Sequence, residues 1–304
     1  MIPKNKRTIM TMTANFFREK FKVPDTKDFL NEKYQDLQAV AAECKAKYAA
    51  GDPFPNIYFE DFFNPDVLDA MLEEFPNLEG KDDIKFQTPN EIKLASRGER
   101  RFGPVSKAFV HFLNSEPFLL FLQELTSIEE TLTTDPYFEG GGFHQTKPGG
   151  FLKIHADFNK HRQTGLDRRL NVLVYLNKDW KDEYGGHFEL WNRDMTRCVS
   201  KIPPRFNNMA LFTTTDYSYH GLPNPLTCPP DRSRKSLALY YYTNGRPASE
   251  INQGLEDHTT LFRERKGTAV DAKMKKFNAL QSTKDFAKDL IPPIFVKLGK
   301  KIVK

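Results

Sequence analysis

Residues 140–159 read GGGFHQTKPGGFLKIHADFN, and the piece FLKIHADF at 151–158 reads as a β-strand that follows a Pro-Gly-Gly turn. The same texture extends outward on both sides. From about Tyr137 to Thr243, short runs rich in β-branched and aromatic residues alternate with Gly, Pro, Asn and Asp turns. The runs predict strands near 142–147, 151–157, 170–176, 187–191, 197–202, 208–213, 217–220 and 235–243. Short strands at this density predict a two-sheet jelly roll or barrel.

Further out the pattern turns helical. Residues 25–50 are helix formers with Gly51-Asp52-Pro53 as their stop, and a short strand follows at 57–59. Asn64-Pro65-Asp66 supplies a cap and a first-turn proline for a helix running to about Phe75. A polar stretch at 81–101 precedes helical patterns at about 104–114 and 116–126. The expected fold class is therefore α+β. A double-stranded β-helix (jelly roll) core at 131–245 carries a mainly helical N-terminal flank at 1–130 and a helical C-terminal extension at 246–304.

Composition bounds the function. Over 304 residues, 39% hydrophobic and 28% charged side chains suit a packed globular core and exclude global disorder. Lys and Arg total 45 against 40 Asp and Glu, a net charge of +5 that makes no case for nucleic acid as a partner. No run approaches the roughly 20 apolar residues of a membrane span, and the start, MIPKNKRTIMTMTANFFREK, has no continuous apolar region. A cytoplasmic location is expected. Cys44, Cys198 and Cys228 lack CxxC spacing, which argues against a disulfide framework or a thiolate zinc site.

The sharpest chemical signal is His155-Ala156-Asp157, because residues i and i+2 of a strand project from one face. Alone the pair is weak, since a histidine hydrogen-bonded to a nearby aspartate is the commoner outcome. A second imidazole, His220, ends a later strand in TTTDYSYHGLPNP, where a jelly roll can bring it beside the first strand. Two histidines and one carboxylate on one side of a metal form the facial triad of non-haem Fe(II) oxygenases. Arg234 and Ser236 open the strand RKSLALYYYT, again at i and i+2. A guanidinium with a neighbouring hydroxyl is a good receptor for a carboxylate.

In this order the motifs resemble the Fe(II)- and 2-oxoglutarate-dependent oxygenases, specifically a bacterial-type branch of the prolyl 4-hydroxylase-like group. The likeness spans about 137–245: His155-Ala156-Asp157, YLNKDW at 175–180, Gly185-Gly186, His220-Gly221 and Arg234-x-Ser236. The resemblance implies Fe(II) on His155, Asp157 and His220, with 2-oxoglutarate and O2 as co-substrates and ascorbate as the reductant. It also implies that Arg234 pairs with the distal carboxylate of 2-oxoglutarate and that Ser236 and Tyr175 hydrogen-bond it. Asn171, Leu173 and Tyr175 alternate onto one face of their strand. Where many members place a Tyr upstream of the first histidine, this chain has Gln145 and Thr146, and Gln145 is the candidate contact to the metal-side carboxylate. The implied reaction is hydroxylation of a prolyl, peptidyl or small-molecule substrate with release of succinate and CO2. A jelly-roll binding module and a cupin-type metalloenzyme are the alternatives, and Arg234-x-Ser236 speaks against the second.

The remaining histidines, His111, His144, His161, His187 and His258, are expected to be structural or to make supporting hydrogen bonds. In the tail, Phe286, Leu290, Ile291, Ile294, Phe295 and Leu298 recur at helix-like spacing among lysines, interrupted by Pro292-Pro293. Such a face is expected to pack on the core or on a second subunit, which would make a homodimer.

Overall fold

A computed structural model describes residues 24–251, 257–266, 268 and 271–289. The N-terminal 23 residues and all side chains of the tail stretch 284–298, with the packing expected of them, lie outside what the structure describes.

Thirteen strands form one antiparallel sheet that wraps into a nearly closed barrel. They are β1 (Asn56–Phe59), β2 (Ile84–Gln87), β3 (Glu91–Ala95), β4 (Thr133–Thr134), β5 (Gly142–Thr146), β6 (Phe151–Ala156) and β7 (Asp167–Tyr175), followed by β8 (Phe188–Trp191), β9 (Cys198–Ile202), β10 (Met209–Thr213), β11 (His220–Leu222), β12 (Arg234–Thr243) and β13 (Leu261–Phe262). Their order is β1-β10-β7-β12-β5-β3-β6-β11-β8-β9, with β2 beside β3, β4 beside β12 and β13 beside β6. The eight strands expected between 142 and 243 all form, with ends shifted by up to three residues. The jelly-roll architecture is thus the one the turn spacing predicts.

The sheet also draws strands from both flanks. The stretch 81–101, read as merely polar, folds as the β2–β3 hairpin and inserts β3 between β5 and β6. In the N-terminal flank β1 extends the sheet beside β10, and in the C-terminal flank β13 pairs with Ala156 and His155. The first 130 residues are therefore not simply a helical layer, and the boundaries at 131 and 245 do not bound the sheet.

Helices cover the outer side: α1 (Leu37–Ala49), α2 (Pro65–Glu73), α3 (Pro104–Leu113) and α4 (Glu116–Thr126), with α5 (Ala248–Ile251) and α6 (Ala272–Asp289) after the barrel. The single helix expected over 25–50 is broken instead into two 3-10 turns and α1. The cause is local: the Asp25, Asn31 and Asp36 side chains each accept a backbone N–H and start a new turn. α3 begins at Gly103, which has no capping side chain, so Glu74 at the end of α2 supplies one by accepting from Val105 N at 3.0 Å and Ser106 N at 2.9 Å.

The strands β7 and β12 are buried on both faces. Leu170, Val172 and Val174 of β7 and Leu237, Leu239 and Tyr241 of β12 face the helices in the large core with Phe109, Phe118 and Phe121. The opposite face of the same strands lines the barrel. One end of that interior is plugged by Tyr175, Phe188, Leu190, Ala210 and Phe212. The rest is open, and there the polar residues gather.

Candidate metal centre and co-substrate pocket

β6 and β11 run antiparallel with His155 directly opposite His220, their ring centroids 4.4 Å apart. The next pair in register is Leu152 with Leu222, three residues along β6 against two along β11. This bulge turns Leu152 and His155 to the same inner face, which strict alternation would have prevented. Both histidines are held alike. His155 Nδ1 lies 2.8 Å from the Lys153 carbonyl, and His220 Nδ1 lies 2.8 Å from the Ser218 carbonyl. Each Nδ1–H is thus the donor, and each Nε2 lone pair points inward.

Asp157 completes the cluster, with Oδ1 3.5 Å from His155 Nε2 and Oδ2 3.4 Å from His220 Nε2. One ligand atom from each of the three residues falls within 4.8 Å of the others, and among the described residues no other His, Cys, Asp and Glu group does so. Arg168 Nη2 donates to Asp157 Oδ2 at 2.9 Å, Asn171 Nδ2 donates to the same oxygen at 2.7 Å, and Arg168 Nε donates to Asn171 Oδ1 at 2.8 Å. The guanidinium is itself sandwiched 4.4 Å from the Phe158 ring and 3.4 Å from the Tyr240 ring.

The protonation states suit a metal. Burial alone would raise the Asp157 pKa, but the Arg168 charge, with the two histidines, holds it well below the usual carboxylate range. Burial, then the neighbouring His155, lowers the His220 pKa. Two imidazoles whose Nε2 atoms point inward and one carboxylate converge in an arrangement that fits an Fe(II)-type divalent ion and leaves one side open.

Beside the triad lies a second polar group. Arg234 is buried, and its Nε donates to the Gly186 carbonyl at 2.7 Å. No carboxylate of the described residues neutralises it, and burial lowers its pKa. Its guanidinium carbon is 4.9 Å from the Tyr175 ring centroid, and Tyr175 Oη is buried without a hydrogen-bond partner among the described residues. Burial pushes that phenol up to about 12, offset in part by the Arg234 charge. Ser236, also buried, stands directly opposite Tyr175 in the sheet. A buried cation without a carboxylate partner and a serine face one cavity, with Tyr175 buried beside the guanidinium, and a ligand carboxylate would satisfy the cation and the serine. Gly186 is required for this arrangement. It sits at φ +73°, and a Cβ there would lie 2.7 Å from Leu226 and 3.0 Å from Arg234 Cδ.

Of the seven sequence-selected residues, His155, Asp157, His220, Arg234, Ser236 and Tyr175 converge here. Gln145 does not. Its amide donates to Ser233 Oγ at 2.8 Å on the other face of β5, and its neighbours His144 and Thr146 line the pocket instead. The reason is the two-residue period of the strand. His144 Nε2 lies 3.0 Å from the Gly140 carbonyl; burial, then Lys93, pushes its pKa down to about 3. The other histidines stand apart, His161 beside Asp135 and Glu139, His187 beside Asp182, His258 beside Asp216 and His111 beside Glu99. Sequence reasoning missed Lys93, Arg168 and Thr146 as lining residues. Alternation could not have found Arg168, which is out of phase with Asn171 and Tyr175 and lies beyond the register shift that β12 makes between Tyr241 and Tyr242.

Residues 141–242 match the profile of the 2OG-Fe(II) oxygenase superfamily, and every residue of the triad, with Arg234, falls within the match. The matched stretch is the barrel core, from the start of β5 to the end of β12, and does not extend into the flanks. No curated protein matches the chain. Among solved structures, a prolyl hydroxylase from Trichoplax adhaerens in complex with a hypoxia inducible factor oxygen degradation domain peptide is 16% identical with TM-score 0.51, covering 76% of this chain and 100% of that one. A prolyl-4-hydroxylase from Pseudomonas putida is 16% identical with TM-score 0.48, covering 69% and 99%. HygX from Streptomyces hygroscopicus, with nickel and 2-oxoglutarate bound, is 14% identical with TM-score 0.44, covering 76% and 98%.

Proposed function

We propose that this chain is a 2-oxoglutarate-dependent hydroxylase that oxidises a C–H bond of a prolyl, peptidyl or small-molecule substrate. In balance, 2-oxoglutarate, O2 and R–H give succinate, CO2 and R–OH, one oxygen atom going to each of the paired donors. The observation that carries this reading is Arg234. A buried guanidinium with no carboxylate partner among the described residues is best satisfied by an anionic ligand. A cupin-type enzyme without 2-oxoglutarate has no need of it, and its presence beside a complete triad weighs against a binding module.

His155, Asp157 and His220 would hold Fe(II), which supplies the oxidising chemistry when bound. Lys153 and Ser218 fix the two imidazoles through their carbonyls, and Arg168 with Asn171 fixes the carboxylate. Arg234, Ser236 and Tyr175 would orient the distal carboxylate of 2-oxoglutarate. The apolar plug of Phe188 and Phe212 keeps water from the closed end. Ascorbate is the expected reductant for uncoupled cycles. The three unpaired cysteines accord with a reducing cytoplasm.

The test is calorimetric binding of Mn(II) and then 2-oxoglutarate, followed by succinate release with Fe(II) and ascorbate. Metal-dependent binding of 2-oxoglutarate is expected in the wild type. Metal binding without any 2-oxoglutarate affinity would favour the cupin-type alternative.

A further inference from the structure

One ion pair on the inner face stands outside the triad and the Arg234 group. Glu91 and Lys93 stand two residues apart on β3, with Lys93 Nζ 3.3 Å from Glu91 Oε2 and both side chains only 15% exposed. Register fixes their direction. Ala95 pairs with His144 and Glu91 with Leu152, both of which line the cavity, so the odd positions of β3 face inward too. Lys93 borders both the triad pocket and the vestibule that adjoins it, whereas Glu91 borders the vestibule alone. The vestibule walls are otherwise largely apolar, with Phe86, Phe158, Tyr240 and Phe262 prominent. Its other charged groups, Asp157 and Arg168, are bound to each other.

A half-desolvated ion pair is a poor stabiliser of a short hairpin, and an apolar pair of similar size would serve at least as well. On a cavity wall it has another property, since it offers both signs of charge side by side. A ligand with a single charge would bind one partner and strand the other. An internal peptide segment, with neither charge, would gain nothing from the pair. A ligand carrying an adjacent ammonium and carboxylate exchanges one intramolecular pair for two intermolecular ones.

We propose that the substrate is a free α-amino acid, its carboxylate on Lys93 and its ammonium on Glu91, with the side chain directed along the aromatic wall toward the triad. This rests on the hydroxylase reading above. The test uses the Fe(II)-loaded enzyme with 2-oxoglutarate and ascorbate and offers the twenty L-amino acids, each beside its N-acetyl and carboxamide forms. Succinate release above the substrate-free rate is measured, as is calorimetric binding to the Mn(II)- and 2-oxoglutarate-loaded protein. At least one free amino acid is expected to bind and turn over, and blocking either end is expected to raise KM about tenfold or more, the scale of one lost charge-assisted contact. Lys93→Met should erase the preference for acid over amide and Glu91→Gln that for free over acetylated amine, while Lys93→Arg should keep the former. The proposal is overturned if no free amino acid binds, if blocked forms serve equally well, or if Lys93→Met weakens acid and amide alike. A wild-type protein that binds neither Mn(II) nor 2-oxoglutarate would instead overturn the hydroxylase reading itself.

Discussion

The two faces of β7 and β12 are made of alternate residues of the same strands, yet they do opposite work. Outward, Leu170, Val172, Val174, Leu237 and Leu239 lie in a continuous apolar core against the helices. Inward, Asn171, Arg234, Ser236 and Tyr240 line a pocket in which one buried cation, Arg234, has no carboxylate partner among the described residues. The outer face lowers the free energy of the fold, while the inner face carries polar groups whose desolvation cost is offset only when something binds. Stability and recognition are thus separable here at a spacing of one residue.

The comparison breaks most visibly at the triad. His220→Ala is expected to abolish turnover and Mn(II) binding without lowering Tm, measured by succinate release, calorimetry and thermal denaturation. Next, Arg234→Leu should weaken 2-oxoglutarate binding by about 3 to 5 kcal/mol, the usual cost of removing a buried charged partner, with metal affinity retained. Unchanged affinity there would assign the carboxylate to another cation. On the other face, Leu239→Ala should cost about 2 to 5 kcal/mol in denaturant unfolding and leave ligand affinities of the folded protein intact. Coupled loss of both would mean that the faces are not independent.

Two smaller effects sharpen the contrast. Arg168→Met should lower Mn(II) affinity by about 10- to 100-fold, as loss of a ligand's supporting partner does. The deficit should grow as pH falls, because burial would then raise the Asp157 pKa against the two histidines alone and protons would compete with the metal. Tyr175→Phe should weaken 2-oxoglutarate by about 1 kcal/mol, one neutral hydrogen bond. A gain in Tm is compatible with it, since the free phenol is an unsatisfied buried group.

Most of the barrel was legible because Val, Leu, Phe and Tyr runs end on Gly, Pro and Asn at nearly every turn. The triad was legible because H-x-D encodes one face of a strand and His220 ends another. The β2–β3 hairpin was not. In IKFQ and EIKLA the inward positions of β3 include Glu91 and Lys93, so alternation put charges where a strand reading expects apolar residues. The bulge in β6 and the facing of Gln145 depend on register, which is set by pairing partners far away in sequence. Arg168 escaped for a related reason, as a charged residue reads as solvated until its partner Asp157 is seen beside it.

The placement of β13 bears on how this protein comes to be assembled. His155 lies opposite His220 on one side and Phe262 on the other, and Leu152 on the same strand lies opposite Glu91. The strand that supplies the first metal ligand is thus completed by partners drawn from more than half the chain. Pairings of such long separation form late and slowly, and a chain emerging N-terminus first cannot make them until its last strand has left the ribosome. A chain broken off between β12 and β13 would leave the edge of the strand that carries His155 exposed to pairing with other molecules.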